Sequence, residues 1–370
     1  MTCQSELRWC SMFAKTTQRV RRDTGKKFRN SIVGTQLGWV LLLWLSGGFF
    51  LEAHGTPAVV EETVHIMGPL PGLKLGLRHA STGMRETQQP IVLILPGAAV
   101  PVSGNPDYPF TPGRSLMTAL AENGLDVWAL DYYGFGESDR YPQMNEPADK
   151  HPALGTAQEC ADQVDAVVTY LKKHSRMQRI LLVGDSGGTL VAGVFATRRP
   201  AEVARLVLFG PVTPFTGGPS QVPLPAYDLM TSEQLWSLFT SWSDTVGSPP
   251  VLDPGASQAW ADNYLRSDPT SRTRTPPSVK IPNGRQADLA AVASGRFPYD
   301  PGQILAPTLV VMGEWDAIAT YPGAEWLLHA LRQAHSRRLV VIGHGSHTIQ
   351  FEAERNELYR TLADFLLERD

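Results

Sequence analysis

The chain has 370 residues, of which 42% are hydrophobic and 19% are charged, and its formal net charge is −3. This length provides one large domain or two ordinary ones with a substantial buried core. A nucleic-acid-binding protein normally carries a basic surplus, and disordered chains and coiled coils have different compositions, so these classes are disfavoured. No segment repeats at a fixed period, which argues against a solenoid.

The first 55 residues differ from the rest of the chain. Residues 1–30 hold eight Lys or Arg against two acidic residues, and an apolar run follows at 37–51. This run is short for a bilayer span but typical of a signal peptide, and Ala53 and Gly55 favour cleavage after Gly55. We therefore expect export to the periplasm or the medium. The alternatives are an uncleaved anchor at 37–51, which would be the protein's only membrane contact, and a true start at Met12.

Without this leader the chain becomes acidic and nearly free of cysteine. Residues 56–370 have a net charge of −8, and Cys160 is their single cysteine. One cysteine excludes a disulfide framework and a cysteine-based zinc site. No feature of the sequence implies a metal or an organic cofactor.

From residue 60 onward, short apolar runs alternate with amphipathic segments. The runs are typical of parallel strands covered on both faces, and the alternation predicts an α/β fold with a doubly wound, mostly parallel eight-stranded sheet. The predicted strands are Glu62–Met67, Leu73–Ala80, Pro90–Leu95, Asp126–Asp131, Arg179–Val183, Ala204–Phe209, Pro307–Met312 and Arg338–Ile342. The predicted helices are Arg114–Asn123, Ala157–His174, Gly188–Thr197, Gly323–Gln333 and Glu352–Leu367.

The alternation stops after residue 212 and resumes at 301. Residues 213–300, the cap segment, are rich in Pro, Ser and Gly and contain two short predicted helices, Ser232–Thr240 and Ser257–Leu265. A flexible linker is the alternative, but it would not need so many aromatic residues. We therefore predict a core from 56–212 and 301–370, with a helical cap inserted over the edge of its sheet.

The strongest local motif is Gly184-Asp-Ser-Gly-Gly188, which follows the apolar run Ile180-Leu-Leu-Val183 and opens a predicted helix. Gly-x-Ser-x-Gly between a strand and a helix is the sequence pattern of a nucleophile elbow. The turn forces its serine into strained backbone geometry, and glycines two residues away relieve the crowding. The pattern predicts Ser186 as a nucleophile.

A serine nucleophile needs a base, and the base needs an orienting acid. Asp316 follows the predicted strand Pro307–Met312, and His347 follows Arg338–Ile342, so both fall at the same sheet edge as Ser186. The order Ser, Asp, His along the chain is also the one expected for this type of site. His344 is an alternative base and Glu314 an alternative acid, but each has the less favourable position.

The oxyanion of an acyl-transfer reaction needs backbone N–H donors. One donor is expected from Gly187, directly after the nucleophile. The other is expected after the strand that ends at Leu95, where Pro96-Gly97-Ala98 makes a glycine turn, and we assign it to Ala98.

These motifs in this order resemble the α/β-hydrolase superfamily, in particular its capped esterase and lysophospholipase-like branch. The stretches that carry the resemblance are Leu95–Ala98, Asp131–Ser138, Gly184–Gly188, Gly313–Asp316 and Gly343–His347. The resemblance implies a Ser186–His347–Asp316 triad with Ala98 and Gly187 as oxyanion donors. Members usually have His-Gly where this chain has Pro96-Gly97, and the epoxide hydrolases and dehalogenases of the fold have Asp where this chain has Ser186.

The predicted function is hydrolysis of a carboxylic ester of a small molecule through an acyl-enzyme on Ser186. An amidase, C–C hydrolase, acyltransferase or cofactor-free haloperoxidase would use the same triad, whereas a catalytically silent binding module would not use it. The aromatic residues of the cap segment suggest an apolar or aromatic substrate, although they could equally form the cap's own core. The candidate pocket residues are Trp236, Phe239, Trp242 and Trp260.

Overall fold

The computed structural model describes residues 58–83, 89–97, 99–110, 114–215, 223–243, 252 and 257–369, with the backbone alone at 242 and 243. The predicted leader, residues 1–55, lies outside the described residues and stays a prediction. Within the described part of the chain, no helix combines the length and the apolar character that crossing a membrane requires.

Eight strands of the described chain form one mixed sheet, in the order β1-β2-β4-β3-β5-β6-β9-β10. The pairs β1–β2 and β2–β4 are antiparallel, and every other neighbouring pair is parallel. The predicted sheet is therefore confirmed. Its strands are β1 (Val60–Met67), β2 (Lys74–Ser81), β3 (Ile91–Leu95), β4 (Asp126–Asp131), β5 (Ile180–Asp185), β6 (Val203–Phe209), β9 (Thr308–Gly313) and β10 (Arg337–Ile342).

Helices cover both faces of this sheet, which explains why its central strands are mostly apolar. Every residue of β3, β5 and β9 is buried. One hydrophobic core includes Val164 and Val167 of the helix Ala157–His174, and the other includes Leu358 and Leu362 of the helix Arg355–Leu367. The helices around the sheet are α1 (Leu116–Glu122), α2 (Ala157–His174), α3 (Gly188–Arg198), α7 (Tyr321–Ala330) and α8 (Arg355–Leu367).

The bounds of a helix can be predicted from sequence where residues next to its end form the capping hydrogen bonds. Helix α2 has the predicted bounds, because Thr156 and Glu159 form a reciprocal capping box at its start. The last helix begins at Arg355, three residues later than predicted, after a short 3₁₀ turn. Glu352, the predicted first residue, has its side chain in the buried hydrogen-bond network described below.

The cap segment contains more structure than its sequence predicted. Besides α4 (Ser232–Ser243) and α5 (Ser257–Arg266), it forms α6 (Gly284–Ala293) and a two-stranded antiparallel sheet of β7 (Tyr227–Met230) and β8 (Val279–Pro282). Each of these strands has four residues, and about fifty residues separate them along the chain. Local periodicity could not reveal such a pair. Aromatic side chains of α4 and α5 form a separate hydrophobic core.

Candidate active site

Ser186 occupies a sharp turn between β5 and α3. Its backbone has a φ of +50°, in the left-handed region that costs energy for any residue with a Cβ. The N–H of Ser186 donates to the carbonyl of Phe209 at 2.8 Å, and the N–H of Thr189 donates to the carbonyl of Ser186 at 2.9 Å. These bonds hold the strained turn in place, with the serine side chain at the carboxyl end of the sheet.

The glycine at 188 is needed for close packing. A Cβ on Gly188 would lie only 2.1 Å from the carbonyl oxygen of Leu95, which belongs to the neighbouring strand β3. A side chain there would push the elbow away from the sheet. The structure therefore gives the same reason for Gly188 as the sequence did, namely crowding around the serine.

The structure brings Ser186, His347 and Asp316 together from three loops at the sheet edge. Ser186 Oγ lies 2.9 Å from His347 Nε2, and His347 Nδ1 lies 2.9 Å from Asp316 Oδ2. An ionised carboxylate only accepts hydrogen bonds, so Nδ1 carries the proton and Nε2 presents a lone pair to the serine hydroxyl. The arrangement fits a serine activated by an oriented base.

Asp316 is oriented by the turn in which it lies. Its Oδ1 accepts hydrogen bonds from the N–H groups of Ile318 at 2.8 Å and Ala319 at 2.7 Å. The Asp316 side chain is fully buried, and that of His347 is 3% exposed. Two backbone donors and the imidazole thus hold the carboxylate in a single orientation.

His347 sits on a loop that a buried carboxylate fastens. Glu352 Oε2 accepts from the N–H of Ser346 at 2.8 Å, and Glu352 Oε1 accepts from the hydroxyls of Ser346 and Thr348. Ser346 and Thr348 flank His347, so Glu352 fixes the loop on both sides of the base. No local sequence signal marks this role of Glu352, because a glutamate at the start of a predicted helix is common.

The charges around His347 favour its protonated form. Burial alone would lower the pKa of the imidazole, but the negative charge and hydrogen bond of Asp316, with smaller contributions from Asp185 and Glu352, raise it above its ordinary value. A base whose protonated form is stabilised in this way can hold the serine proton during an attack.

The two alternative side chains point elsewhere. His344 is exposed and its ring contacts that of Trp315 at a tilt of 42°, with 5.2 Å between the ring centroids. Glu314 is also exposed, and its carboxylate accepts a hydrogen bond from the backbone N–H of His344. Of the four candidates, the structure places only His347 and Asp316 in the chain of contacts to Ser186.

Gly187 is the N-terminal capping residue of α3. The first N–H groups of a helix have no partner within the helix and carry partial positive charge, so the position suits an oxyanion donor. Ala98, the other predicted donor, lies outside the described residues. Its neighbour Gly97 packs closely on the nucleophile, since a Cβ at 97 would lie 3.1 Å from Ser186 Cβ.

A buried polar network that no local sequence motif marks supports the nucleophile. Asp185 Oδ2 accepts from Asn105 Nδ2 at 2.6 Å, and Asn105 Oδ1 accepts from Gln350 Nε2 at 3.3 Å. Burial raises the pKa of Asp185 to about 6, against the opposing effects of His347 and the Asn105 hydrogen bond. The network joins three segments that are distant in sequence. Of its members, only the Asp of the Gly-Asp-Ser-Gly motif stands in a recognisable sequence pattern.

A cavity opens at Ser186 and is lined by both the core and the cap segment. Phe239 of α4, one of the four candidate pocket residues, lines it, and the other lining residues are Gly97, Val100, Asn105, Asp185, Ser186, His347, Thr348, Gln350 and Phe351. Trp236 is half-buried beside Trp260. Trp260 itself is fully buried in the core of the cap, where its indole N–H donates to the carbonyl of Gly104. The Trp242 side chain lies outside the described residues.

The stretch Asp131–Ser138 serves as structural support for the loop after β3. Asp131 is buried, and its carboxylate accepts from the N–H of Val102 at 2.7 Å and from that of Glu137 at 3.0 Å. Val102 lies in the segment that follows Gly97. Asp131 thereby ties this segment to the end of β4.

Comparison with known proteins agrees with this geometry. A family model described as the alpha/beta hydrolase fold matches residues 90–354, and the chain belongs to that family of hydrolases. The resemblance found in the sequence motifs is thus confirmed at the level of the superfamily.

Several solved structures share the fold at low sequence identity. A serine hydrolase from the polyaromatic-hydrocarbon-degrading bacterium Cycloclasticus zankles is 18% identical with a TM-score of 0.57, and the match covers 83% of this chain and 98% of that one. A putative lipase from Acinetobacter baumannii is 16% identical with a TM-score of 0.54, covering 83% and 91%. An epoxide hydrolase from potato is 17% identical with a TM-score of 0.53, covering 82% and 99%.

Proposed function

We propose that this protein is a serine esterase that hydrolyses a carboxylic ester of a small apolar or aromatic molecule. The observation that carries the proposal is the continuous contact from Ser186 Oγ through His347 to Asp316, with 2.9 Å at each step. A serine is the nucleophile at the elbow, which favours acyl transfer over chemistry that starts from a carboxylate nucleophile.

The reaction follows from these positions. His347 Nε2 takes the proton of Ser186 as Oγ attacks the ester carbonyl, and Asp316 stabilises the imidazolium that forms. The N–H of Gly187 donates to the oxyanion, together with Ala98 as the second predicted donor, and each donor contributes on the order of 3 kcal/mol to the transition state. His347 then protonates the leaving alcohol, and water activated by the same base hydrolyses the acyl-enzyme.

The first test is hydrolysis of 4-nitrophenyl esters from acetate to palmitate by the purified protein. We expect turnover that Ser186→Ala and His347→Ala abolish, while the matched change His344→Ala, three residues earlier in the same loop, leaves it nearly unchanged. The acyl chain length that gives the highest kcat/KM would indicate the length of the acyl pocket. A folded protein that reacts with a serine-directed phosphonate but hydrolyses no ester would overturn the ester assignment in favour of an amide, a C–C bond or another acyl acceptor.

We further propose export of the chain through its basic and apolar leader. The support is the sequence pattern of residues 1–55 alone. Mass spectrometry of the protein recovered from its native cells should find an N-terminus at Thr56. An intact leader in a membrane fraction would contradict cleavage and favour the anchor.

A further inference from the structure

The carboxylate of Asp185 links the nucleophile elbow to the loop that follows β3, residues 96–105, which we call the β3 loop. Asp185 directly precedes Ser186, and its Oδ2 accepts a hydrogen bond from Asn105 Nδ2 at 2.6 Å. The same oxygen would lie 3.4 Å from a Cβ added at Gly97, so the beginning of the loop packs on this carboxylate as well. One buried side chain thus contacts the β3 loop near both of its ends.

The β3 loop is strained at one position and carries a predicted oxyanion donor. Ala99 has a φ of +66°, in the left-handed region that residues with a Cβ rarely adopt. Such a conformation persists only where the surrounding structure fixes it. The sequence predicts the second oxyanion donor directly before this residue, at Ala98. Contacts from outside the loop therefore have to hold the segment that carries this donor.

Two buried carboxylates hold the β3 loop, and they tie it to different parts of the fold. Asp131 accepts from the N–H of Val102 at 2.7 Å and fastens the loop to the end of β4. Asp185 fastens it to the elbow, which carries the nucleophile and Gly187, the first predicted oxyanion donor. Of these two carboxylates, Asp185 is the one that connects the segments of both predicted donors.

The hydrogen bond between Asp185 and Asn105 lies in a nearly dry environment beside the nucleophile. Both residues line the cavity at Ser186, and each is less than a tenth exposed, with 7% for Asp185 and 8% for Asn105. Asn105 Oδ1 accepts in turn from Gln350 Nε2 at 3.3 Å, three residues beyond His347. A hydrogen bond with little access to water is stronger than an exposed one, so the amide and the carboxylate hold each other in fixed positions.

We propose that Asp185 and Asn105 are positioning residues for the oxyanion hole, and that their hydrogen bond holds the β3 loop against the elbow so that Ala98 and Gly187 can donate to the same oxygen. The inference rests on the proposed acyl transfer from Ser186, whatever bond is cleaved. The feature that matters is the contact and not the negative charge. An amide at 185 still offers an oxygen to Asn105 Nδ2.

The kinetic test breaks the contact and then restores it in the opposite direction. Asn105→Leu keeps the approximate size of the side chain but removes its donor, and we expect kcat for a 4-nitrophenyl ester to fall about 100-fold with little change in KM. Asp185→Asn should lose less than about tenfold, because the acceptor remains. The swapped double variant, Asn105→Asp with Asp185→Asn, has its donor at 185 and its acceptor at 105, and it should recover most of kcat.

The matched control is Asn263→Asp, which changes an asparagine that contacts the β3 loop from the cap segment. Asn263 Nδ2 donates to the carbonyl of Ser103 at 2.5 Å. The variant should keep kcat close to that of the wild type, and a loss equal to that of Asn105→Leu would overturn the proposal, because any disturbance of the loop would then suffice.

Three results of the kinetic test contradict the proposal. A swapped variant as slow as Asn105→Leu would show that the contact is not what matters, and a loss in Asp185→Asn as large as in Asn105→Leu would assign the effect to the charge. A rise in KM without a fall in kcat would indicate a role in binding the substrate. Should Asn105→Leu not fold, Asn105→Asp replaces it, since two carboxyl groups then face each other and the swapped variant must relieve that conflict.

A second measurement follows the oxyanion without ester hydrolysis. In a trifluoromethyl ketone, Ser186 Oγ adds to the carbonyl carbon, the serine proton passes to His347, and the carbonyl oxygen becomes an oxyanion, as in the transition state. We expect 1,1,1-trifluoro-4-phenylbutan-2-one to protect Ser186 from phosphonate labelling at far lower concentration than 4-phenylbutan-2-ol, which forms no oxyanion. Asn105→Leu should weaken protection by the ketone about tenfold or more and leave that by the alcohol nearly unchanged. The swapped variant should regain the difference.

The two measurements separate this inference from the esterase function. If the protein cleaves no ester while protection by the ketone depends on the Asp185–Asn105 contact, the esterase function fails and the positioning role stands. If esters are cleaved but Asn105→Leu changes protection by the ketone and by the alcohol equally, or changes neither, the positioning role fails and the esterase function stands. A wild-type protein in which the ketone protects no better than the alcohol would also overturn the positioning role.

Discussion

The core and the cap segment of this protein reach the same cavity by different routes. In the core, Ser186, Asp316 and His347 each follow the end of a strand of the main sheet, and these three strands are parallel, so all three residues lie at one edge of the sheet. In the cap, Phe239 reaches the cavity from a helix whose position depends on packing between segments far apart in sequence. The comparison teaches that the reacting groups are placed locally, whereas the groups that surround the substrate are placed by long-range contacts.

The strongest test of the core is Asp316→Asn, which keeps the shape of the side chain but removes its charge. His347 would then adopt the tautomer with its proton on Nε2, and it could not accept the serine proton. We expect kcat to fall about 10⁴-fold with little change in KM. Glu314→Gln, two residues away on the surface, is the control; an equal loss there would show that the acid was assigned to the wrong residue.

The corresponding test of the cap is Trp260→Ala. Its side chain is fully buried between Phe239 and Tyr264, with ring centroids 5.4 and 5.3 Å away. Removing it should lower the free energy of unfolding by about 4 kcal/mol, measured by denaturant titration. Trp236→Ala, at a half-buried position in the same cluster, should cost clearly less. Phosphonate labelling of Ser186 should persist in both variants, and its loss would show that the elbow depends on the cap.

Glu352→Gln tests whether the position of His347 in the core depends on a contact with a residue outside its strand and loop. The variant keeps the size of the side chain but weakens its hydrogen bonds to the residues on either side of His347. We expect kcat to fall roughly 10- to 100-fold, because a small displacement of the base misaligns it with Ser186. If Asp364→Asn on α8 has the same effect, or if only KM changes, Glu352 does not position the base.

The pH profile gives the smallest effect, and its sign follows from the charges around His347. The reaction needs the neutral imidazole, so kcat/KM for a neutral ester should rise with pH through a pKa above the ordinary value of 6.5. The raised pKa also means that His347 adds stability to the fold below about pH 6.5, and that this contribution is lost as the pH rises through the folded-state value. A kinetic pKa at or below 6.5 would contradict the conclusion that the surrounding carboxylates raise the pKa of His347 by more than burial lowers it.

The difference between the two regions also explains what sequence reasoning could reach. The eight strands of the main sheet and the bounds of α2 were predictable, because apolar runs and a capping box are local signals. The hairpin of β7 and β8 was not, because each strand is short and its partner is distant in sequence. Trp260 could not be told from a pocket residue, since an aromatic side chain in a helix looks the same in a core and in a cavity.

Sequence alone determined the identity and the order of the candidate reacting groups, because a glycine-flanked serine after an apolar strand has few other uses. It also determined that Asp316 and His347 lie at the same sheet edge, since consecutive parallel strands run in one direction. Only the tertiary structure decided which strands are neighbours, and that Glu352 and Asn105 hold the site. These features depend on contacts between residues far apart in the chain, and no local pattern records such contacts.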